Sequence, residues 1–252
     1  MIELKHVSKK MGSRQLFRDL NLKIEKNETV VVFGPSGAGK TVLIKICLGL
    51  IKPDSGEVII DNQRIDQMTD RELMKMRLKT GTLFQYYALF DSMTVEQNVG
   101  FYLSNHDRLS DEEIKNRVFR DLSLVNLSGS EKLKPAELSG GMQKRVGIAR
   151  AIIHRPQIIY YDAPTDGLDP VTSDTIISLI KNLNSDLGVT SLIISNDMNL
   201  MFRLASNTGM LCKGKMRVFG SPQKIAESRD PYVYQFIRGN ENGPLLDDET
   251  KT

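Results

Sequence analysis

Gly34-Pro35-Ser36-Gly37-Ala38-Gly39-Lys40-Thr41 gathers three glycines, a lysine and a hydroxyl between the apolar run Val30-Val-Val-Phe33 and the segment Thr41 to Leu50, which reads as a helix and whose Val42 joins the loop as a candidate nucleotide-binding residue. Glycines at 34, 37 and 39 let a backbone turn its amides inward around phosphate, and a helix starting there adds its positive end. Lys40 then reaches the outer phosphates of a nucleotide, and the Thr41 hydroxyl can coordinate Mg²⁺. A glycine-rich turn with no ligand is the alternative. The complete spacing, set between a strand and a helix, argues against it.

Two further stretches carry chemistry. Asp162 closes the apolar run Ile158-Ile-Tyr-Tyr161, where a carboxylate emerges at the carboxyl edge of a parallel strand and holds magnesium through water. An aspartate after an apolar run is more often a turn or cap. Here a phosphate loop upstream and the continuation Ala163-Pro-Thr-Asp-Gly-Leu-Asp169-Pro reverse that reading. Leu138-Ser139-Gly140-Gly141-Met142-Gln-Lys-Arg145 places a hydroxyl and two glycines ahead of a helical pattern.

These groups need a sheet edge to hold them. Val30 to Phe33, Ile158 to Tyr161 and Leu192 to Ser195 read as buried parallel strands. Ile176, Ile180, Leu183 and Leu187 line one face of a helix that ends at Gly188. The first thirty residues and Gly56 to Ile65 alternate as short antiparallel strands, a small sheet beside the main one. Thr69-Asp-Arg-Glu72 and Ser110-Asp-Glu-Glu113 fit the capping-box pattern, so each predicts a helix start. Residues 86–138 carry no buried-strand signal and read as a helical insertion. The expected organisation is a nucleotide-binding core over 1–85 and 139–220, a helical subdomain over 86–138, and a C-terminal helical segment with a mobile acidic tail over 221–252.

Composition narrows the partners. A formal charge of +3 with a pI of about 8.7 and dispersed basic residues argues against nucleic acid. No apolar run approaches the roughly 20 residues that cross a bilayer, and the first residues lack a signal peptide's apolar segment, so a membrane role requires another chain. Cys47 and Cys212 lie in apolar segments without metal-ligand spacing, which predicts buried, reduced thiols. His6, His106 and His154 show no metal spacing either, and none is a catalytic candidate.

Leu138-Ser-Gly-Gly-Met resembles the signature motif of the ABC transporter ATPase superfamily, and the resemblance extends over essentially the whole chain. It implies an α/β fold of the P-loop NTPase type: a RecA-like parallel sheet flanked by helices, with a small antiparallel β-subdomain and an inserted helical subdomain. It implies ATP and Mg²⁺, held between two head-to-tail copies. Ser139, Gly140 and Gly141, with Met142 where many relatives have glutamine, would bind the γ-phosphate held by the other copy. Gln85 matches the family's Q-loop glutamine, which touches magnesium. Asp169, in Gly167-Leu168-Asp169, matches the D-loop that crosses the interface.

Within the superfamily, four stretches resemble the ATPase subunit of Mla or Mce-type lipid transporters: Gly39-Lys-Thr-Val-Leu-Ile-Lys-Ile, Leu83-Phe-Gln-Tyr-Tyr-Ala-Leu-Phe-Asp-Ser-Met-Thr-Val, Ser139-Gly-Gly-Met-Gln-Lys-Arg-Val and Asp230-Pro-Tyr-Val-Tyr-Gln-Phe-Ile-Arg-Gly. Such subunits work as a homodimer beneath a permease pair on the cytoplasmic face of the bacterial inner membrane. A small regulatory protein and a periplasmic lipid-binding subunit are further implied partners. Tyr86, Tyr87, Leu89 and Phe90 either pack locally or accept a coupling helix of the permease. The rival reading is a non-transport ABC protein gating a cytosolic assembly. Its usual marks, tandem cassettes or a long coiled-coil insertion, do not appear.

The chain departs from the family pattern at three positions. Ala163 stands where the glutamate that prepares water is expected, and Asn196 where the histidine that contacts the γ-phosphate is expected. A methyl group takes no proton, and a carboxamide donates a hydrogen bond but does not become cationic near pH 7. Magnesium and ATP are expected to bind while hydrolysis is slowed. Asp166 lies beyond Pro164 and Thr165, which aims it differently from a substitute base. Met11 stands where relatives place an aromatic ring on adenine. Its sulfur can still pack on a base. Phe17, alternating with Leu16 and Leu20, reads as core.

Overall fold

The computed structural model describes residues 1–86, 88–106 and 109–246. Tyr87 and the last six residues of the acidic tail fall outside the described residues. In chain order the elements are β1 (Ile2–Met11), β2 (Arg14–Ile24), β3 (Thr29–Phe33), α1 (Lys40–Cys47), β4 (Ser55–Ile60), β5 (Gln63–Arg64), α2 (Asp70–Arg77) and β6 (Thr80–Leu83). They continue with α3 (Val95–His106), α4 (Asp111–Leu124), α5 (Gly140–Ile152), β7 (Ile158–Asp162), α6 (Pro170–Leu187) and β8 (Thr190–Ile194). The last are α7 (Met198–Leu204), β9 (Asn207–Cys212), β10 (Lys215–Gly220), α8 (Pro222–Ala226) and α9 (Pro231–Arg238).

The chain divides into two compact units, residues 1–74 with 190–252, and residues 75–189. In the first, β3 lies between β8 and β9 and runs parallel to both, pairing Val31 with Ile193 and with Thr208. β10 closes back antiparallel on β9. Every residue of β3 and β8 is buried, the signature of strands covered on both faces. The same unit holds the antiparallel sheet β2-β1-β4-β5, whose β2 alternates buried Phe17, Leu20, Leu22 and Ile24 with exposed polar positions. Residues 240–245 fold back on α9, where the buried Gln235 donates to the Asn240 carbonyl and accepts from the Leu245 amide.

In the second unit β6 runs parallel to β7, with Thr80 opposite Ile158 and Leu83 opposite Tyr161. The helices α3 and α4 lie within 86–138, where helix was expected. Both predicted helix starts form as capping boxes. Ser110 and Glu113 exchange side-chain and backbone hydrogen bonds at α4. Thr69 and Glu72 do the same at α2. α6 ends on Gly188 at φ +59°, the left-handed cap that glycine takes without strain. Cys47 and Cys212 are buried free thiols, and burial pushes the Cys47 thiol up to about 12.

A fully buried carboxylate ties α4 to the turn after α5. Asp121 accepts both Nη1 and Nη2 of Arg155, at 2.7 and 2.6 Å. Replacing Asp121 by alanine leaves the guanidinium without its carboxylate. The expected cost is about 3 kcal/mol, toward the lower end for a broken buried pair because Arg155 keeps contact with solvent. Denaturant unfolding checks it, and an unchanged midpoint with an unchanged slope would contradict it.

Candidate functional site

The phosphate loop leaves β3 at Gly34 and enters α1 at Lys40. Its glycines have positive φ, +147° at 34, +74° at 37 and +98° at 39. The requirement is steric at both ends. A Cβ at 34 would stand 2.2 Å from the Leu211 carbonyl oxygen, and one at 39 would stand 2.8 Å from the Phe17 ring. Phe17 is fully buried beneath the loop, so its role is packing. Pro35, Ser36 and Ala38 complete the turn, which closes with the Ala38 amide donating to the Pro35 carbonyl at 3.2 Å. No side-chain hydrogen bond caps α1 at Gly39, and the amino end of a helix offers phosphate its amides and its positive pole.

Gly34 is gripped on both of its peptide groups. The Lys40 ammonium donates to the carbonyls of Gly34 and Pro35, at 2.6 and 3.0 Å. The Gly34 amide donates to Asn196 Oδ1 at 3.2 Å. A backbone N–H is always a donor, so the atom of the carboxamide facing it is the oxygen, and the Asn196 NH₂ is the free end. Asn196 is exposed at the end of β8, directly before Asp197, whose carboxylate accepts the Leu200 amide and caps α7. Thr41 and Val42, in the first turn of α1, are half-buried. Met11 is exposed at the end of β1. Arg14 was not anticipated from sequence. Its Nη1 lies 3.2 Å from where a Cβ on Gly37 would stand, which brings a planar cation against the loop.

In the second unit, Asp162 is buried at the end of β7, and Ala163 follows at φ +53°, the left-handed region that a non-glycine residue occupies only under constraint. The Ala163 carbonyl accepts two donors: Lys144 Nζ at 2.8 Å and the Asp166 amide at 3.3 Å. Burial pushes the Lys144 ammonium down to about 8, with the Asp166 carboxylate acting against that shift. Asp166 itself is exposed. Asp169 caps α6, accepting the amides of Val171 and Thr172 at 3.0 Å each and the Thr172 hydroxyl at 2.5 Å. The Thr172 hydrogen bonds hold the Asp169 carboxyl below its ordinary range.

Ser139 caps α5 through the Met142 amide. Ser139 and Gly140 are exposed at the helix tip, Met142 is half-buried, and Gly141 is buried against α6. Gln85 is exposed two residues beyond β6.

The loop after Gln85 presents Tyr86, 84% exposed, and Phe90, whose ring lies 4.8 Å from that of Phe101 on α3. Two residues that sequence reasoning passed over hold it. Asn98, fully buried, accepts the Phe90 amide and donates to the carbonyls of Phe90, Met93 and Thr94. Arg150 donates to the Ala88 carbonyl at 2.6 Å. The available signal for Asn98 was a carboxamide on the otherwise apolar face of α3, beside Val95, Val99 and Leu103.

The candidate ligand set Thr41, Gln85 and Asp162 is all oxygen, which suits Mg²⁺, a cation usually held by one or two carboxylates together with substrate phosphates. No group of three or more His, Cys, Asp or Glu fit to hold a metal occurs among the described residues, and such a cation does not need one.

The ABC transporter family model matches residues 17–166. The chain is 39% identical over 250 residues to the probable ribonucleotide transport ATP-binding protein mkl of Mycobacterium leprae, covering 99% of this chain and 72% of that one. It is 37% identical over 245 residues to the intermembrane phospholipid transport system ATP-binding protein MlaF of Haemophilus influenzae, covering 97% and 93%. A dimeric bacterial ABC transporter cassette of known structure aligns with a TM-score of 0.82 at 37% identity, covering 88% of this chain and 99% of that one. A dimeric post-hydrolysis cassette bound to ADP and Pi aligns with the same TM-score at 36% identity and the same coverage. With a phosphate loop, a strand-end aspartate and a serine-capped helix tip in the family's order, matched over most of its length, the chain belongs to the ABC transporter family as one of its ATP-binding subunits.

Proposed function

We propose that this chain energises a phospholipid transporter, binding Mg-ATP between two head-to-tail copies, and that hydrolysis is slowed by Ala163 and Asn196. The observation that carries the reading is the phosphate loop itself, its three glycines at positive φ ahead of α1 and Lys40 and Asn196 already gathered on Gly34. Likeness to MlaF supports the lipid substrate. Likeness to dimeric cassettes supports the pair.

In this reading the loop amides and Lys40 bind the β and γ phosphates, while Thr41, Gln85 and Asp162 hold magnesium. Bound magnesium would neutralise phosphate charge. Arg14 adds a cation beside Gly37, and Met11 packs on the base. Ser139, Gly140 and Gly141 reach the γ-phosphate of the partner copy, and Asp169 lies at the shared interface. No helix among the described residues is long and apolar enough to cross a membrane. Likeness to a phospholipid transport ATP-binding protein supports placing the subunit on the cytoplasmic face of the bacterial inner membrane, through a permease that docks on Tyr86 and Phe90. A small regulatory subunit and a periplasmic lipid-binding subunit complete the assembly.

Sedimentation of the purified chain with and without Mg-ATP tests the pair. The expected result is a shift from 28.4 kDa to about twice that mass, with ATP retained rather than turned over. Co-expression with a multi-spanning permease is expected to carry the chain into the membrane fraction. A chain that stays single at saturating Mg-ATP, even beside its membrane partner, overturns the reading.

A further inference from the structure

The helix that opens with Ser139-Gly140-Gly141 touches the segment 163–169 at its first residue and meets Thr172 just beyond its last. At the first end, Lys144, 1% exposed, puts its ammonium on the Ala163 carbonyl at 2.8 Å. At the second, Gly141 lies so close to α6 that a Cβ there would stand 2.6 Å from Thr172 Cγ2. Thr172 in turn holds Asp169 through its amide and its hydroxyl. Between these points the segment has little of its own to fix it: the Asp166 amide on Ala163 and the Leu168 amide on Thr165, both at 3.3 Å.

Lys144 is the costly member of this arrangement. Burying an ammonium is unfavourable unless it is matched by acceptors, and a charge-assisted hydrogen bond is roughly twice as strong as a neutral one. Its ammonium is set on the carbonyl of a residue in the left-handed region, where alanine does not settle without outside constraint.

We propose that Lys144 is a positioning residue: its ammonium fixes the carbonyl at 163, so that the signature tip and the turn leading to Asp169 move as one piece. This rests on the paired-copy reading above, in which both segments face the partner. Engagement of the partner's nucleotide by Ser139 to Gly141 is then transmitted along α5 to position 163, the place in the chain's own site where water is prepared in relatives.

Three variants of the full chain separate this from mere core filling. Lys144→Met keeps the bulk without donor or charge, Lys144→Arg keeps both, and Lys144→Gln keeps a donor alone. Amide hydrogen exchange over 163–169, read without nucleotide, is expected to speed about tenfold in Lys144→Met and to return to within about threefold of the parent in Lys144→Arg or Lys144→Gln. Exchange in β6 is expected to stay unchanged in any variant that melts as the parent does. Mg-ATP-driven pairing is expected to weaken at least tenfold in Lys144→Met alone. Unchanged exchange over 163–169 in Lys144→Met overturns the proposal, as does acceleration in Lys144→Met that neither donor variant restores. If exchange behaves as expected but the parent chain itself never pairs, the positioning role stands and the paired-copy reading falls.

Discussion

Replacing Ala163 by glutamate is expected to raise phosphate release under Mg-ATP by about 10²- to 10⁴-fold, the usual contribution of a general base. The backbone is prepared for it. Position 163 holds φ +53° with alanine, and its carbonyl is fixed by the Lys144 ammonium and the Asp166 amide, so the glutamate side chain inherits an ordered turn. It follows Asp162 directly at the end of β7. Asp166, three residues on, is exposed and has its amide, not its carboxylate, committed to that turn. The parent chain is therefore expected to hold ATP in long-lived pairs. Adding Asn196→His to Ala163→Glu is expected to raise the rate further, since a neutral imidazole keeps one nitrogen as an acceptor and offers the other as a donor to the charge developing on the γ-phosphate. Phosphate release by parent, single and double variants, with Lys40→Ala as the blank, measures this. Brisk turnover by the parent, or a glutamate variant no faster than it, would sink the idea.

Asn196→Asp is expected to weaken ATP binding on the order of 10²-fold while leaving ADP within about threefold. The Gly34 amide needs an oxygen at 196 and finds one in either residue, so the grip on the loop persists. The change falls on the other atom, where an NH₂ donor becomes an anionic oxygen. A hydrogen bond to a charged group contributes about 1.5–3 kcal/mol, and two like charges at 4 Å repel by about 4 kcal/mol at an effective dielectric of 20. Magnesium and Lys40 offset part of that sum, and about 2.7 kcal/mol corresponds to 10²-fold. ADP lacks the γ-phosphate and escapes the penalty. Calorimetric titration with both nucleotides reads the difference. Equal losses for ATP and ADP would mean that residue 196 only holds the loop.

The parts of this protein written into local sequence are those whose partners lie within a few residues. The phosphate loop follows from three glycines between a β-branched run and a helix, and the capping boxes at Thr69 and Ser110 from a hydroxyl and a carboxylate three positions apart. The end of α6 follows from Gly188 after an apolar stripe. Phe17 reads as core from alternation, and its burial agrees.

What the order of residues did not disclose are contacts closed by packing across long separations. Lys144 reads as one more polar residue of a motif until the fold sets its ammonium on a carbonyl 19 residues away. Asn196 reads only as a missing histidine until β8, lying beside β3, brings it to an amide 162 residues away. Local pattern, then, determined by itself the loop, the capping boxes and the helix end, because backbone propensity and short-range hydrogen bonds act within a turn or two. Only the tertiary structure decided which buried polar atoms answer one another, because that choice follows from which strands and helices exclude water together.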